Sequence, residues 1–178
     1  MLPQNVDILD GADRLRAGVV VGVLGWFAGQ REEFDKAVQL CEKSVTLNAC
    51  VTQGFWYELG EFKSSLGDTQ LQEAISLYNQ MSEADDIETF QALREDAIVK
   101  APDFPWPTND LAWLLATAAD PNLRDGERAV ELAKSVCDQS NWNYWSFIDT
   151  LAAAYAEAGD FPNAMETAKK AYTIAAVA

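Results

Sequence analysis

The stretch Ile148-Asp149-Thr150-Leu151-Ala152-Ala153-Ala154-Tyr155-Ala156-Glu157-Ala158-Gly159, followed by Asp160-Phe161-Pro162, decides the fold. Leu151, Tyr155 and Ala158 are spaced four and three apart, the period of one helical face. Gly159 can take the left-handed conformation that ends a helix, and Asp160 can accept hydrogen bonds from the free N–H groups of the next one. Pro162 falls in the first turn of that next helix, where no N–H is missed. Ala164, Ala168, Ala171 and Ala175 then recur at helical spacing, a stripe of small residues that predicts close helix packing. The segment reads as two helices joined by a tight turn.

The same arrangement recurs upstream. Asn109-Asp110-Leu111-Ala112-Trp113-Leu114-Leu115 opens one hairpin, and Ala129, Ala133 and Val136 carry its second helix. Its turn, Asp120 to Gly126, is long, with Asp125 placed to cap. Trp56-Tyr57-Glu58-Leu59-Gly60-Glu61-Phe62, with Gly67, Ala74 and Tyr78, gives another. A degenerate one runs through Val21, Leu24, Gly25, Phe34, Ala37, Cys41 and Ser44.

Leu151-Ala152, Tyr155, Gly159, Phe161, Ala164, Ala168 and Ala171 stand at the spacing of a tetratricopeptide (TPR) unit, a helical hairpin of about 34 residues. Ile148 replaces the aromatic expected near its start. The chain resembles that family, in a divergent form common in large bacterial proteins. The resemblance implies an all-α fold, an α-solenoid of antiparallel hairpins within one repeat domain over 1–178. The units are 14–47, 53–82, 108–139 and 146–177. Residues 84–107 do not fit the repeat. They read as an extra helix with Ile87, Phe90, Leu93, Ala97 and Ile98 on one face, then an extended connector through Phe104-Pro105-Trp106-Pro107. Asp85, Asp86 and Glu88 suit the start of that helix. The total is nine helices, and the extra one either packs across a seam or splits the solenoid into halves.

Charge and composition narrow the function. The 178 residues carry 28 acidic and 13 basic side chains, a formal charge of −15, and 49% are hydrophobic. Such a field repels nucleic acid and anionic membranes and attracts basic protein segments. It also keeps an apolar helical protein in solution. The apolar run Ala17–Gly29 is shorter than the roughly 20 residues a membrane span needs. Met1–Asp10 has no basic start of the secretory kind. Cys41, Cys50 and Cys137 lack metal or redox spacing and read as buried thiols. These features predict a cytoplasmic protein.

Catalysis finds no support. There is no histidine, which removes the commonest general base and the Ser-His and Cys-His nucleophile systems. Gly18, Gly22 and Gly25 do not form a phosphate loop and suit close helix packing. The turn from Asp120 to Gly126 departs from a calcium loop, because Arg124 stands where a ligand is needed. No catalytic residue, metal or cofactor is expected.

In TPR proteins the first helix of each hairpin lines a concave surface. By that resemblance the inward positions are Gly22 and Trp26, Tyr57 and Glu61, Asn109 and Trp113, and Asp149 and Ala153, with Glu157 beyond and Glu58 and Asp110 beside them. The family groove that grips acidic C-terminal tails needs Lys, Arg and Asn there, and this chain offers Asn109 alone. An aromatic and acidic groove instead suits a partner segment that is basic and partly apolar. For Trp26 and Trp113 the competing role is packing between repeats. Most of the cluster Trp142, Tyr144, Trp145 and Phe147 reads as a staple at a helix joint.

A scaffold or adaptor is therefore the leading expectation. A structural subunit docking through apolar terminal helices is an alternative, since Tyr172 to Ala178 is apolar and lacks a polar cap; pairing of copies through that helix would be one form of it. A sensor of a small ligand or signalling peptide is another.

Overall fold

A computed structural model describes residues 11–46, 53–81, 83–84 and 86–176, the side chains of 11–16, 45–46 and 53–54 excepted. Cys50, Asp85, Met1–Asp10 and the last two residues, to which the sequence reading assigned roles, lie outside this set. Among the described residues the fold is all-α. Helices α1 (Gly11–Gly29), α2 (Phe34–Thr46), α3 (Gln53–Ser65), α4 (Gln70–Met81), α5 (Ile87–Lys100), α6 (Pro105–Thr117), α7 (Gly126–Gln139), α8 (Trp145–Glu157) and α9 (Phe161–Ala175) follow one another. A 3-10 turn, Pro121–Leu123, stands before α7. The chain divides into two compact units, Met1–Ser76 and Leu77–Ala178. The division falls inside α4, ahead of the extra helix.

In the first unit α1 packs along α2. Small residues make the approach possible: a Cβ on Gly25 would stand 2.8 Å from Cys41 Sγ and 3.2 Å from the Ala37 carbonyl oxygen. The Ser44 hydroxyl donates to the Gly18 carbonyl at 2.9 Å, so its polar group is satisfied inside the seam. Val21, Ala28, Ala37 and Cys41 are buried, as are Trp56, Leu59, Phe62, Leu71, Ala74 and Ile75 further along. The Phe62 ring lies 6.3 Å from that of Phe34. Lys63 of α3 pairs with Glu42 of α2 at 2.9 Å.

The second unit holds the larger continuous core. Helices α6, α7, α8 and α9 pack in sequence, and α6 also lies against α8, the arrangement of two stacked hairpins. Leu111, Leu115, Ala129, Ala133, Val136, Cys137, Phe147, Ile148, Leu151, Ala154 and Ala171 form one cluster. Full burial of a residue such as Leu151 is worth about 1.5–3 kcal/mol. The Trp106, Tyr144 and Phe147 rings close the joint between α6 and α8 edge to face, with centroids 4.6–5.6 Å apart.

Caps set the helix starts. Asp125 accepts from the Arg128 backbone N–H at 3.0 Å, Asp160 from that of Asn163 at 3.2 Å, and Asp86 from that of Thr89 at 2.7 Å. Gly159 has φ +78°, the left-handed value expected where α8 ends.

Two local expectations fail. The stretch Phe104–Pro107 is not an extended connector, because α6 begins at Pro105. Pro105 and Pro107 occupy its first turn, where backbone N–H groups have no intrahelical partner to lose. On α9 only Ala171 of the alanine stripe is buried, Ala164 is partly so, and Ala168 and Ala175 face solvent. The inward side runs instead through Ala164, Thr167, Ala171 and Ile174, at spacings of three and four.

Candidate partner-binding surface

Packing by small residues leaves the large side chains of α1 outside. Val19, Val20, Val23, Leu24, Trp26 and Phe27 are 39–52% exposed. Trp26 and Phe27 meet edge to face at 5.0 Å. The Trp26 side chain hydrogen-bonds to Glu58 of α3. Partial burial raises the Glu58 pKa, the Trp26 bond opposes that, and the Glu61 charge adds to it. Tyr57 is partly buried and Glu61 exposed. Trp26, Glu58 and Glu61 are thus brought together in the first unit, where Trp26 joins α1 to α3 while remaining 39% exposed.

In the second unit the open side of α6 carries Trp113 and Thr117, and that of α8 carries Trp145, Asp149 and Ala156. Trp113 is an outward residue, like Trp26. Trp145 is 43% exposed, so it does not share the stapling role of Tyr144 and Phe147. Trp142 stays at the joint: its indole N–H donates to Asp138 at 2.8 Å, and Lys170 lies over its ring at 4.3 Å. Glu157 is held by Arg124 at 3.3 Å, a bridge between the turn before α7 and the end of α8. Part of its charge is therefore spent within the protein.

Asn109 and Asp110 are placed differently from the other predicted residues. Asn109 is buried, not presented on the open side. Its amide donates to one Asp110 oxygen at 3.4 Å, and the Tyr78 hydroxyl donates to the other at 2.8 Å. Burial raises the Asp110 pKa, opposed by those two bonds and by the charge of Arg94. Arg94 of α5 is 1% exposed. Its guanidinium sits 4.3 Å from the Phe90 ring centre within electrostatic reach of Asp110 and Tyr78. None of its Nε, Nη1 and Nη2 atoms has a hydrogen-bond partner, and neither has Asn109 Oδ1.

Sequence reasoning missed Arg94, read Tyr78 only as a repeat position, and placed Trp145 only in the cluster at the helix joint. A signal existed in two cases. Arg94 interrupts the apolar stripe Phe90, Leu93, Ala97 and Ile98 at its centre, where a charge must be buried or deform the packing. Trp145 lies four residues before Asp149, on the same side of α8.

The thiols show no sign of activation. Burial pushes Cys41 up to about 11, helped by Glu58 and Glu42, and pushes Cys137 up to about 12. Both are free and buried. Among the described residues no group of three His, Cys, Asp or Glu side chains could hold a metal ion, and no helix is long and apolar enough to cross a membrane. No protein-family model matches the chain, and no curated protein matches it either.

Proposed function

We propose that this chain is a non-catalytic binding module of the TPR kind, which holds a basic and partly apolar segment of another protein. One observation carries the reading: each unit exposes tryptophan on a first helix of a hairpin, with carboxylates on that helix's neighbour. Trp26 beside Glu58 and Glu61 does so in the first unit, and exposed Trp113 on α6, with exposed Trp145 and Asp149 on the α8 helix that packs against it, does so in the second. Tryptophan supplies large contact area with few rotamers and holds cations on its face. Carboxylates beside it select lysine or arginine and speed encounter at low salt. The −15 charge extends that steering over the whole chain. A cytoplasmic setting is part of the same proposal.

A peptide array tests it, with basic amphipathic, neutral amphipathic and acidic amphipathic sequences of equal length. Basic members should bind, with affinity falling as salt rises, and Trp113→Ala or Trp26→Ala should weaken binding without altering helix content. Equal binding of acidic and basic members would sink the reading.

The alternative of a structural subunit is favoured by two exposed apolar surfaces. One is the open side of α1, and the other is Phe161, Met165 and Tyr172 of α9. Contiguous exposed apolar area of this kind marks interfaces. That reading predicts salt-insensitive association in light scattering, abolished by Val23→Glu or Met165→Glu.

A further inference from the structure

Arg94 poses a physical problem. A guanidinium cannot shed its charge in a protein, and it carries five N–H donors. Buried arginines are ordinarily seated on carboxylates through paired hydrogen bonds. Arg94 is buried and has no hydrogen-bond partner. It is held by the Phe90 face and by the field of Asp110, whose two oxygens are taken by Tyr78 and Asn109. Asn109 Oδ1 remains an open buried acceptor in the same cluster. Carboxylate, amide oxygen and phenol together form an acceptor-rich receptor for a guanidinium, and the present occupant is poorly seated in it.

The helix that brings this occupant is itself lightly anchored. Arg94 and Ala97 are the only residues α5 buries fully, while Ile87 and Val99 are exposed. Its own start is satisfied locally, because Asp86 accepts from both the backbone N–H and the hydroxyl of Thr89. The helix therefore keeps its cap without α6.

We propose that Asp110, Asn109 and Tyr78 form a guanidinium-binding site of which Arg94 is the chain's own internal occupant, displaced when an arginine of the partner segment enters. The proposal rests on the basic-partner reading above and makes it specific. Arginine, not lysine, is the recognised residue, and α5 is the element that yields. An arginine arriving on a free segment can reach hydrogen bonds that Arg94 does not make. The cost of its entry is the release of α5, which lowers apparent affinity by the fraction of molecules in the open state.

Two measurements test this. The first uses Arg94→Ala and follows thermal stability with ethylguanidinium or ethylammonium at matched ionic strength. Ethylguanidinium should raise the midpoint and ethylammonium should not, and the gain should vanish in Arg94→Ala/Asp110→Asn. No selective gain, or one that survives loss of Asp110, overturns the site. The second uses the wild-type chain and does not depend on the variant folding. An acetylated Leu-Arg-Leu-Leu-Arg-Leu peptide should speed hydrogen exchange in α5, and its lysine counterpart should not. In Arg94→Met the same peptide should bind about tenfold tighter if the open state is about 10% populated in the wild type. Peptide binding with α5 exchange unchanged overturns the displacement and leaves the basic-partner reading intact. Ethylguanidinium rescue with no peptide binding to any variant sinks the basic-partner reading and supports the guanidinium site alone.

Discussion

The α1–α2 hairpin and the α6–α9 stack solve the same packing problem in opposite ways. In the stack a set of large side chains points inward, while Trp113, Trp145, Phe161, Met165 and Tyr172 stay exposed. Leu111, Val136, Phe147, Ile148 and Leu151 fill one core, and small residues such as Ala133 and Ala154 sit among them. In the hairpin the small residues point inward, and a Cβ on Gly25 would stand 2.8 Å from Cys41 Sγ, too close unless a neighbour shifts. Apart from the buried Val21, its large residues Val19, Val20, Val23, Leu24, Trp26 and Phe27 stand outside. A helix that seats itself on glycine keeps its large apolar side chains for another surface. The stack closes most of its large side chains into one core, and α1 leaves most of its own exposed.

The largest expected effect is in the stack. Leu151→Ala should cost about 2–5 kcal/mol in urea unfolding, since it opens a cavity in a fully packed core. A cost below about 1 kcal/mol would mean that the four-helix core is looser than its burial indicates. Next comes the hairpin seam. Gly25→Ala places a methyl group against Cys41 and the Ala37 carbonyl, and overpacking of this sort costs about 1–3 kcal/mol. If instead it stabilised the helix, as Gly→Ala does where space allows, the close approach of α1 and α2 would be refuted.

Thiol modification compares the two regions directly. Cys41 and Cys137 should both resist alkylation at neutral pH, because their thiols stay protonated up to about 11 and about 12. Cys41 should react first as urea is raised, since it reports on the hairpin that lacks large buried contacts. Mass mapping of the modified peptides reads this, and an earlier Cys137 would reverse the ordering of the two regions. The raised values also set a pH trend. Folded thiols keep protons that unfolded ones release, so this contribution to stability is lost as pH climbs from about 9 toward 11 and beyond.

Smaller effects follow at the helix starts and on the open side. Asp125→Ala should cost about 1 kcal/mol by removing the cap of α7. Leu24→Ser should change stability by no more than about 0.5 kcal/mol while reducing self-association in light scattering. A large loss of stability there would show that Leu24 is covered within the chain.

Much of the fold was legible in the sequence, for local reasons. The spacing of Leu151, Tyr155 and Ala158, the cap at Asp125, and the Gly159-Asp160 junction each depend on the geometry of one turn or one helix. The candidate surface was legible in part. Trp26, Trp113 and Asp149 are exposed, whereas Asn109 is buried and Glu157 is tied to Arg124. Helical period tells which residues share a side, but not which of two apolar sides is covered.

The sequence by itself determined the helices of the described residues, the caps at Asp86, Asp125 and Asp160, and the excess of negative charge, since each follows from residues adjacent in the chain or within one turn. Only tertiary structure decided that α1 packs by its glycines, that Trp145 faces out while Phe147 faces in, and that Arg94 of α5 is buried within electrostatic reach of Asp110. Those outcomes depend on which helix arrives on which side, and burial is a property of the neighbours a residue meets, not of its place in the chain.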